Sequence, residues 1–520
     1  MRVFLSLSLL IGSFFLAEAQ VLSRNANFGT NGFTTLPLGS TSATERGDAI
    51  AIQPDGKLLV AYEIRNELDE VTLGLARLNP DGSFDESFDF DGKRSFDLSE
   101  KNERMNGVAV LDNGNIVCVG YHDTKDEGRN GFVVMVDSDG AIVSDFAENG
   151  ILSIDQSVGE EDVFYDVEAL ANNKFVIGGT ILAGGKKYIS IQQFLNDGTY
   201  DPDFNNGTYR FTQVGTEESI ITFGDMAVGQ DGRTAICGQV KADKESEMEG
   251  IVVSFTNEGT VNYNFGDKGQ QIVRAGQGIP TILLSCIYND DNSLMIVGSS
   301  NFEGDYKVAV VKLLENGAFD NNFQSSGIGN IDVTKEAYEL PQSIHLIDEG
   351  MYLITGTTLS GGLDDMSMFI DADGNLYKEN EGVEEGFKIE SFSDDDEYWV
   401  KSVVSKGIVY RVGRTKVKDA QRVMISSRTV PVPLDNSILR ADLVGGLYPN
   451  PVLDHVSISL RQVPVSPVLV RLVDMSGRVV LNTTYDVQQI DLSLETLESG
   501  FYELIILSED KYTCHSLIKQ

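Results

Sequence analysis

The chain is poor in the residues that metal and redox chemistry require. Its 520 residues include only four histidines, four cysteines and one tryptophan. There is no H-E-x-x-H, no C-x-x-C and no histidine cluster. Metal-assisted hydrolysis and zinc or dithiol sites therefore lack their usual ligands. Cys118, Cys237 and Cys286 lie in apolar, strand-like runs, where a thiol acts as a small hydrophobe. A bridge such as Cys237 with Cys286 stays open, and Cys514 stands alone near the end. No G-x-S-x-G elbow, P-loop or dinucleotide fingerprint occurs. No catalytic, cofactor-binding or metal-binding residue is assigned, and no enzyme activity is expected. Proline is scarce while glycine is plentiful, which argues against disorder outside linkers. Basic residues are also in short supply, 40 against 79 acidic ones, for a net charge of −39. A field of that sign repels nucleic acid and anionic membranes, and it keeps an exposed surface soluble.

Long apolar runs are missing too. The one apolar stretch near the start, Leu5 to Leu16, follows Arg2 and ends at Ala17-Glu18-Ala19. It reads as a signal peptide over residues 1–19 rather than a transmembrane helix, which needs roughly 20 apolar residues. The expected product is exported.

What is abundant is repetition. A two-residue turn between apolar runs recurs as Asp55-Gly56, Asn113-Gly114, Asn172-Asn173, Asp231-Gly232, Asp291-Asn292, Glu349-Gly350 and Lys406-Gly407. Six residues after each stands Tyr62, Gly120, Gly179, Gly238, Gly298, Gly356 or Gly413, at spacings of 58, 59, 59, 60, 58 and 57. So close a register marks a repeat architecture. Asx-Gly between short apolar runs predicts a type I′ hairpin, with positive φ at both central residues. The flanking runs, such as Asn115-Ile116-Val117-Cys118-Val119, are nearly continuous and predict strands buried on both faces. A third strand follows, then a second turn such as Asn79-Pro80-Asp81-Gly82, then an acidic–aromatic connector. The connector's anchor pairs are Phe28/Gly32, Phe88/Gly92, Phe146/Gly150, Phe204/Gly207, Phe265/Gly269 and Phe323/Gly327. The seventh junction, Glu379 to Gly386, has lost the pair.

Four short strands per copy without helical periodicity predict an all-β fold. The expectation is a seven-bladed β-propeller of four-stranded blades over residues 20–428, closed where its ends meet. Phe28-Gly29-Thr30-Asn31-Gly32, Ala49 to Lys57 and Leu78 to Asp85 together resemble the bacterial delta-60 repeat family. The resemblance implies a β-propeller and brings no catalytic residues.

The rhythm changes after Ser427. Residues 429–446, with Pro431, Pro433 and Gly445-Gly446, read as a linker. About seven short strands over residues 447–520 predict a small Ig-like β-sandwich. Tyr448-Pro449-Asn450-Pro451, the hairpin from Asp474 to Arg478, Ser499-Gly500-Phe501-Tyr502 and the terminal Lys519 occur in order. They resemble the C-terminal sorting domain of the type IX secretion system of Bacteroidota, although His515-Ser516 stands where that family has His-Lys. The resemblance implies secretion or attachment at the cell surface, with the secretion machinery as partner through residues 447–520.

Three acidic features invite functional readings. Asp89-Phe90-Asp91-Gly92, Asp137-Ser138-Asp139-Gly140 and Asp371-Ala372-Asp373-Gly374 look like partial calcium loops. Each lacks a ligand, and turns in which Asp caps its own backbone are the simpler reading. No cofactor is expected, with calcium the alternative. Asp394-Asp395-Asp396-Glu397 reads as a solvated loop, and Arg46-Gly47-Asp48, an adhesion tripeptide in form, as turn chemistry. The irregular connections Glu63 to Glu70, His122 to Asn130 and Lys241 to Glu249 all follow the same strand, so they are expected on one face. Loops on a rigid scaffold are where recognition resides. The expected function is a binding or scaffold module with an extracellular polymer or protein as ligand. The alternative is a surface hydrolase with its site at the channel.

Overall fold

The computed structural model describes residues 22–98, 102–124, 128–157, 160–216, 219–302, 304–334, 337–348, 350–359, 362–377, 386–392, 396–417, 420–430, 439–440, 443–461, 467–474, 479–495, 497, 499–508 and 511–520. The expected signal peptide, Asp394-Asp395, most of the Glu379–Gly386 junction and residues 475–478 of the terminal hairpin fall outside that set. The chain divides into two compact units.

The larger unit is all-β among the described residues, apart from one 3-10 turn at Ala171–Asn173. Its strands form successive antiparallel meanders. In the first, Thr44–Ile52 pairs with Leu58–Arg65, which pairs with Val71–Leu78, which pairs with Lys93–Phe96. The leading strands of the following meanders are Glu103–Val110, Glu161–Leu170, Ile220–Val228, Thr281–Tyr288, Tyr338–Asp348 and Glu397–Ser405. Each packs against the next, and Glu397–Ser405 packs against Thr44–Ile52, which closes a ring. The fourth strand of the last meander comes from the N-terminal side: Phe33–Thr35 pairs with Ala420–Thr429, Phe33 opposite Ser426.

The continuous apolar runs are explained by burial between neighbouring meanders. Leu59 and Leu75 of the first share a core with Cys118 and Phe132 of the second, while Ile50, Val60 and Ala76 face Val412, Val423 and Ile425 of the last. Connectors and second turns interlock in the same way. Phe88 is fully buried beneath Gly140 of the next meander, where a Cβ would lie 3.1 Å from its ring. The adjacent Asp89 N–H donates to Asp139 O at 2.8 Å. The bond recurs from Gly29 to Asp81, Ala147 to Asp197, Asn205 to Glu258 and Gly266 to Asn316.

The hairpin turn differs from expectation in four copies. Gly56, Gly114, Gly232 and Asn292 have positive φ, but the residues before them do not. Gly56 N donates to Gln53 O and Gln53 N to Lys57 O, both at 2.8 Å. This is a three-residue loop, a type I turn ending in a left-handed residue. Asn172-Asn173 and Lys406-Gly407 do have positive φ at both positions.

Leading strands also open on a buried polar group that sequence patterning missed. Glu45, Glu103, Asp162, Thr281, Glu339 and Glu397 are almost wholly buried. Glu45 accepts from Gly39 N (2.8 Å), Glu103 from Leu98 N (3.1 Å), Glu339 from Thr334 N (2.8 Å) and Glu397 from Phe392 N (2.6 Å). Each satisfies a backbone donor of the incoming segment that would otherwise be buried without a partner. Glu397 is thus a structural cap and no part of a solvated loop, whereas Asp396 accepts from the exposed Leu363 N at 3.0 Å.

In the smaller unit, a sheet containing Val468–Asp474, Val479–Tyr485, Gly500–Ser508 and Lys511–Lys519 and a second made of Val444–Tyr448, His455–Leu460 and Gln489–Ser493 enclose one apolar core. The Pro-Asn-Pro opening is tied to the chain's end. Asn450 Oδ1 accepts from Ile518 N at 3.0 Å, and Val452 N donates to Ile518 O at 2.7 Å.

Candidate functional site

Every leading strand of the ring carries a β-bulge at the same register. The ladder slips at Gly47/Ala49, Met105/Gly107, Phe164/Asp166, Phe223/Asp225, Leu283/Ser285, Pro341/Ser343 and Trp399/Lys401. The strand before each slip faces the register residue noted in the sequence: Gly47 opposes Tyr62, Met105 opposes Gly120 and Leu283 opposes Gly298. The bulge explains the glycines. A Cβ on Gly120 would lie 1.8 Å from Arg104 O, and one on Gly298 1.8 Å from Ile282 O. A carbonyl tilted by the bulge occupies that space. In the first meander, where Tyr62 stands instead, the facing residue is itself glycine and the Tyr62 ring lies over Gly74.

The extra residue of each bulge is Asp48, Asn106, Tyr165, Gly224, Leu284, Gln342 or Val400. Together with Arg104, Asp166, Asp225 and Lys401 they line one cavity of about 210 Å³. All leading strands contribute, so the cavity is the ring's central channel. Asp48 of the tripeptide is therefore a buried channel residue inside a strand, and the turn reading of Arg46-Gly47-Asp48 is corrected.

The charges segregate along the channel. After the bulge, Lys401 Nζ of the last meander reaches Asp166 of the third at 3.0 Å and Asp225 of the fourth at 3.6 Å. Asp225 Oδ2 also accepts from Ser285 Oγ (2.7 Å) and Cys286 N (3.1 Å). Burial, and the Asp225 carboxyl against the counter-pull of Lys401, push Asp166 up to about 6. The half-buried Glu168 is raised to about 8 by burial and by Asp166. Burial opposes the charge on Lys401, but Asp166 and Asp225 outweigh it and hold the ammonium above its usual range. Nearby, His345 Nε2 bonds Ser402 Oγ at 2.7 Å, and burial lowers that imidazole to about 4.

Before the bulge the sign reverses. Arg46 Nε and Arg104 Nη2 both donate to Asp48 Oδ1, at 2.7 and 2.8 Å. Arg414 stacks its guanidinium on Tyr398, 4.7 Å from the ring centroid. This end adjoins the irregular connections, because Thr44 pairs with Arg65, Glu103 with His122 and Ile220 with Lys241. Those connections are partly ordered by their own side chains: Asn66 Oδ1 accepts from Leu68 N and Asp243 Oδ1 from Ser246 N. His122 bonds Ser153 and does not face another histidine.

Among the described residues, no group of three His, Cys, Asp or Glu is placed to hold a metal ion. In the three Asp-rich turns, Asp91 accepts from Lys93 N, Asp137 from Asp139 N and Asp371 from Asp373 N. Cys118, Cys237 and Cys286 are buried free thiols. Periodicity could not reveal the channel, since strands buried on both faces carry nearly continuous apolar runs with no alternation for an inserted residue to break. The signal that could have found it is the glycine recurring at one position of the second strand, with a polar residue such as Asn106 or Gln342 in the leading strand one place beyond the residue that glycine opposes.

Residues 446–520 match the family model described as a secretion system C-terminal sorting domain. Residues 53–88 and 290–323 match a domain of unknown function described as a beta-propeller. The protein is therefore exported, secreted or attached at the cell surface, with a β-propeller as passenger. No curated protein matches the chain. Among solved structures it is similar to the polysaccharide lyase Uly1, at 12% identity and TM-score 0.48, covering 77% of this chain and 93% of that one. It is also similar to a protein of unknown function from Dyadobacter fermentans (10%, TM-score 0.41, 77% and 99% covered). A third is the beta-propeller domain of the Trilobed protease from Pyrococcus furiosus (7%, TM-score 0.39, 76% and 99% covered). Among the described residues, no helix is long and apolar enough to cross a membrane.

Proposed function

We propose that an exported protein with this architecture is a ligand-binding module: a seven-bladed propeller whose channel and adjoining loops hold an extracellular polymer or protein. Its Ig-like terminal domain engages the type IX machinery over residues 447–520 and is the part removed on export. One observation carries the reading. All seven leading strands bulge at one register, and the residues so displaced line a single charged cavity. Bulges placed next to a site re-aim side chains, and repetition around a ring directs seven of them at one volume. The irregular loops at the basic end extend that surface.

The test is retention of the purified protein on a panel of extracellular polysaccharides and peptides. Retention without turnover, weakened when Glu63–Glu70 and Lys241–Glu249 are shortened, is the expected result; retention of nothing sinks the reading.

A second reading, a surface hydrolase, draws on the carboxyls after the bulge. Asp166, raised to about 6 and sharing Lys401 with a second carboxyl, Asp225, is a candidate general acid. Turnover of any polymer in the same panel, abolished by Asp166→Asn, would establish it over binding.

A further inference from the structure

The basic end of the channel is out of keeping with the chain. Arg46, Arg104 and Arg414 come from the first, second and last meanders, which are neighbours around the ring. Arg46 and Arg104 stand two residues before their bulges, and Arg414 pairs directly with Tyr398, which stands two before its own. Only Asp48 joins the arginines, and one of its oxygens takes both guanidinium groups. Its other oxygen and Arg104 Nε are buried without a hydrogen-bond partner. Arg414 makes no ion pair among the described residues; the Tyr398 ring is its neighbour. Glu63 is engaged with Arg65 at 3.4 Å.

The local balance is three guanidinium groups against Asp48 and a Glu63 carboxyl that burial and Asp48 push toward the neutral form. This occurs in a chain of net charge −39. Like charges in a half-buried cluster repel, and Arg414 is held below its ordinary range by burial and by Arg46 and Arg104. An oxyanion with two or more free oxygens would relieve that repulsion and accept from forked donors in two directions. The cavity is below the roughly 300–1,000 Å³ of sites that enclose a whole drug-sized ligand. It suits one charged unit of a longer chain that runs on over the face. Tyr398 and the channel residue Tyr165 supply flat apolar surface beside that unit.

We propose that Arg46, Arg104 and Arg414 form an anion subsite that takes an acidic group of an extracellular polysaccharide, a carboxylate or a sulfate. The inference rests on the channel being a binding site and adds the chemistry of what it binds. The acidic surface makes the test selective, because a chain of this charge repels polyanions everywhere except at such a site.

The experiment is affinity electrophoresis and calorimetry of the purified full chain with four probes: polygalacturonate, its methyl ester, dextran sulfate and dextran. Polygalacturonate or dextran sulfate should be retained, with the ester and dextran not retained; which of the two acids binds separates carboxylate from sulfate. The double variant Arg104→Gln/Arg414→Gln should weaken that binding about tenfold or more, as expected for lost charge-assisted hydrogen bonds. Arg233→Gln, in a hairpin turn at the far end of the strands and paired with Glu315, should leave it unchanged. A matched thermal transition shows that the double variant folds. Equal retention of dextran and the acids, retention of neither acid, or full binding by the folded double variant overturns the inference. Where dextran or a peptide is still held, the binding module stands and only its anion preference falls. Where nothing is held, both fall.

Discussion

The ring is held at its seams in two ways. Six of the interfaces between neighbouring meanders contain a cluster of buried apolar side chains: first with second, second with third, and so on to fifth with sixth, then last with first. Between the sixth and last meanders the described residues form no such cluster, and charge takes its place. Asp365 bridges Arg411 and Arg428, with Arg428 Nη2 at 2.6 Å. Arg428 Nη1 continues to Glu390 at 2.6 Å, and Glu390 accepts from Arg24 Nε at 2.8 Å. Arg24 and Arg428 both lie over the Phe392 ring, 4.4 and 4.7 Å from its centroid. Hydroxyls complete the seam: Ser402 N donates to Ser343 Oγ at 3.0 Å and Trp399 N to Thr357 Oγ1 at 3.1 Å. The polar seam adjoins the place where the N-terminal strand joins the last meander. Apolar seams form between any well-shaped surfaces, whereas an ion network demands particular partners, which suits a junction that must close in one register.

The largest expected effect is at Asp365. Replacing it by alanine leaves the buried Arg411 without its carboxylate and Arg428 with Glu390 alone, so a loss of about 4–5 kcal/mol is expected in urea unfolding. At an apolar seam the equivalent change is Phe88→Ala, which removes a fully buried ring and leaves a cavity under Gly140. It should cost about 3–4 kcal/mol. A Phe88→Ala loss exceeding that of Asp365→Ala would mean that charge is not what holds the closing seam.

Acid should open the polar seam first. Glu390 sits at about 2, because the Arg428 guanidinium outweighs the burial that opposes its charge. A carboxyl with a depressed folded pKa stabilises above its unfolded value, here 4.5, and that stability drains as pH falls toward 2. His345, in the same seam, is lowered from 6.5 to about 4 by burial. Its contribution is complete above 6.5 and is lost as pH falls through 4, since the unfolded state takes up the proton first. Asp166 runs the other way: raised from 3.8 to about 6, it favours the fold at low pH and loses that advantage as pH rises through 6. As pH falls from 6.5 to 4, amide protection relative to the intrinsic exchange rate should therefore fall at Ser343 and Ser402 before it falls at the Phe88 seam. The stability difference is on the order of 1–2 kcal/mol after solvent screening. A His345→Asn variant with an unchanged profile would assign the effect to other groups.

Much of this contrast could not be read from the chain. The apolar seams were legible, because Phe88, Gly140 and their counterparts recur at fixed spacing and a recurring contact leaves a recurring residue. The sorting motif was legible for another reason, its resemblance to a known family, and the fold joins its two ends: Asn450 Oδ1 accepts from Ile518 N and Val452 N donates to Ile518 O. The polar seam occurs once, and its partners lie far apart in sequence, Arg24 from Glu390 by 366 residues. The channel failed differently. Lys401 and Asp166 are separated by 235 residues, and no local rule pairs them. The bulges did leave their mark in Gly120, Gly179 and Gly238, but a glycine in a strand does not say which carbonyl needs the space. The buried series Glu45, Glu103, Glu339 and Glu397 was periodic enough to find. It was hidden among 79 acidic residues, most of which have no such role.

The smallest expected effect lies in the hairpins. Lys406 of the last meander has φ of 49°, a left-handed backbone that costs a residue with a Cβ about 1–2 kcal/mol. Asp55, its counterpart in the first meander, precedes the left-handed Gly56 without entering that region itself. The sequences Asp-Gly and Lys-Gly therefore serve different turns at one register position. Lys406→Gly removes the strain and gives back some of it as unfolded-state entropy, roughly 0.5–1 kcal/mol for glycine. The net should be a gain of about 0.5 kcal/mol, read as a higher urea midpoint with unchanged slope. Asp55→Gly relieves nothing, loses the bond that Asp55 Oδ1 accepts from Lys57 N, and should lower the midpoint. If both changes shift it the same way, the two turns are energetically alike, and the last meander differs from the others in its seam alone.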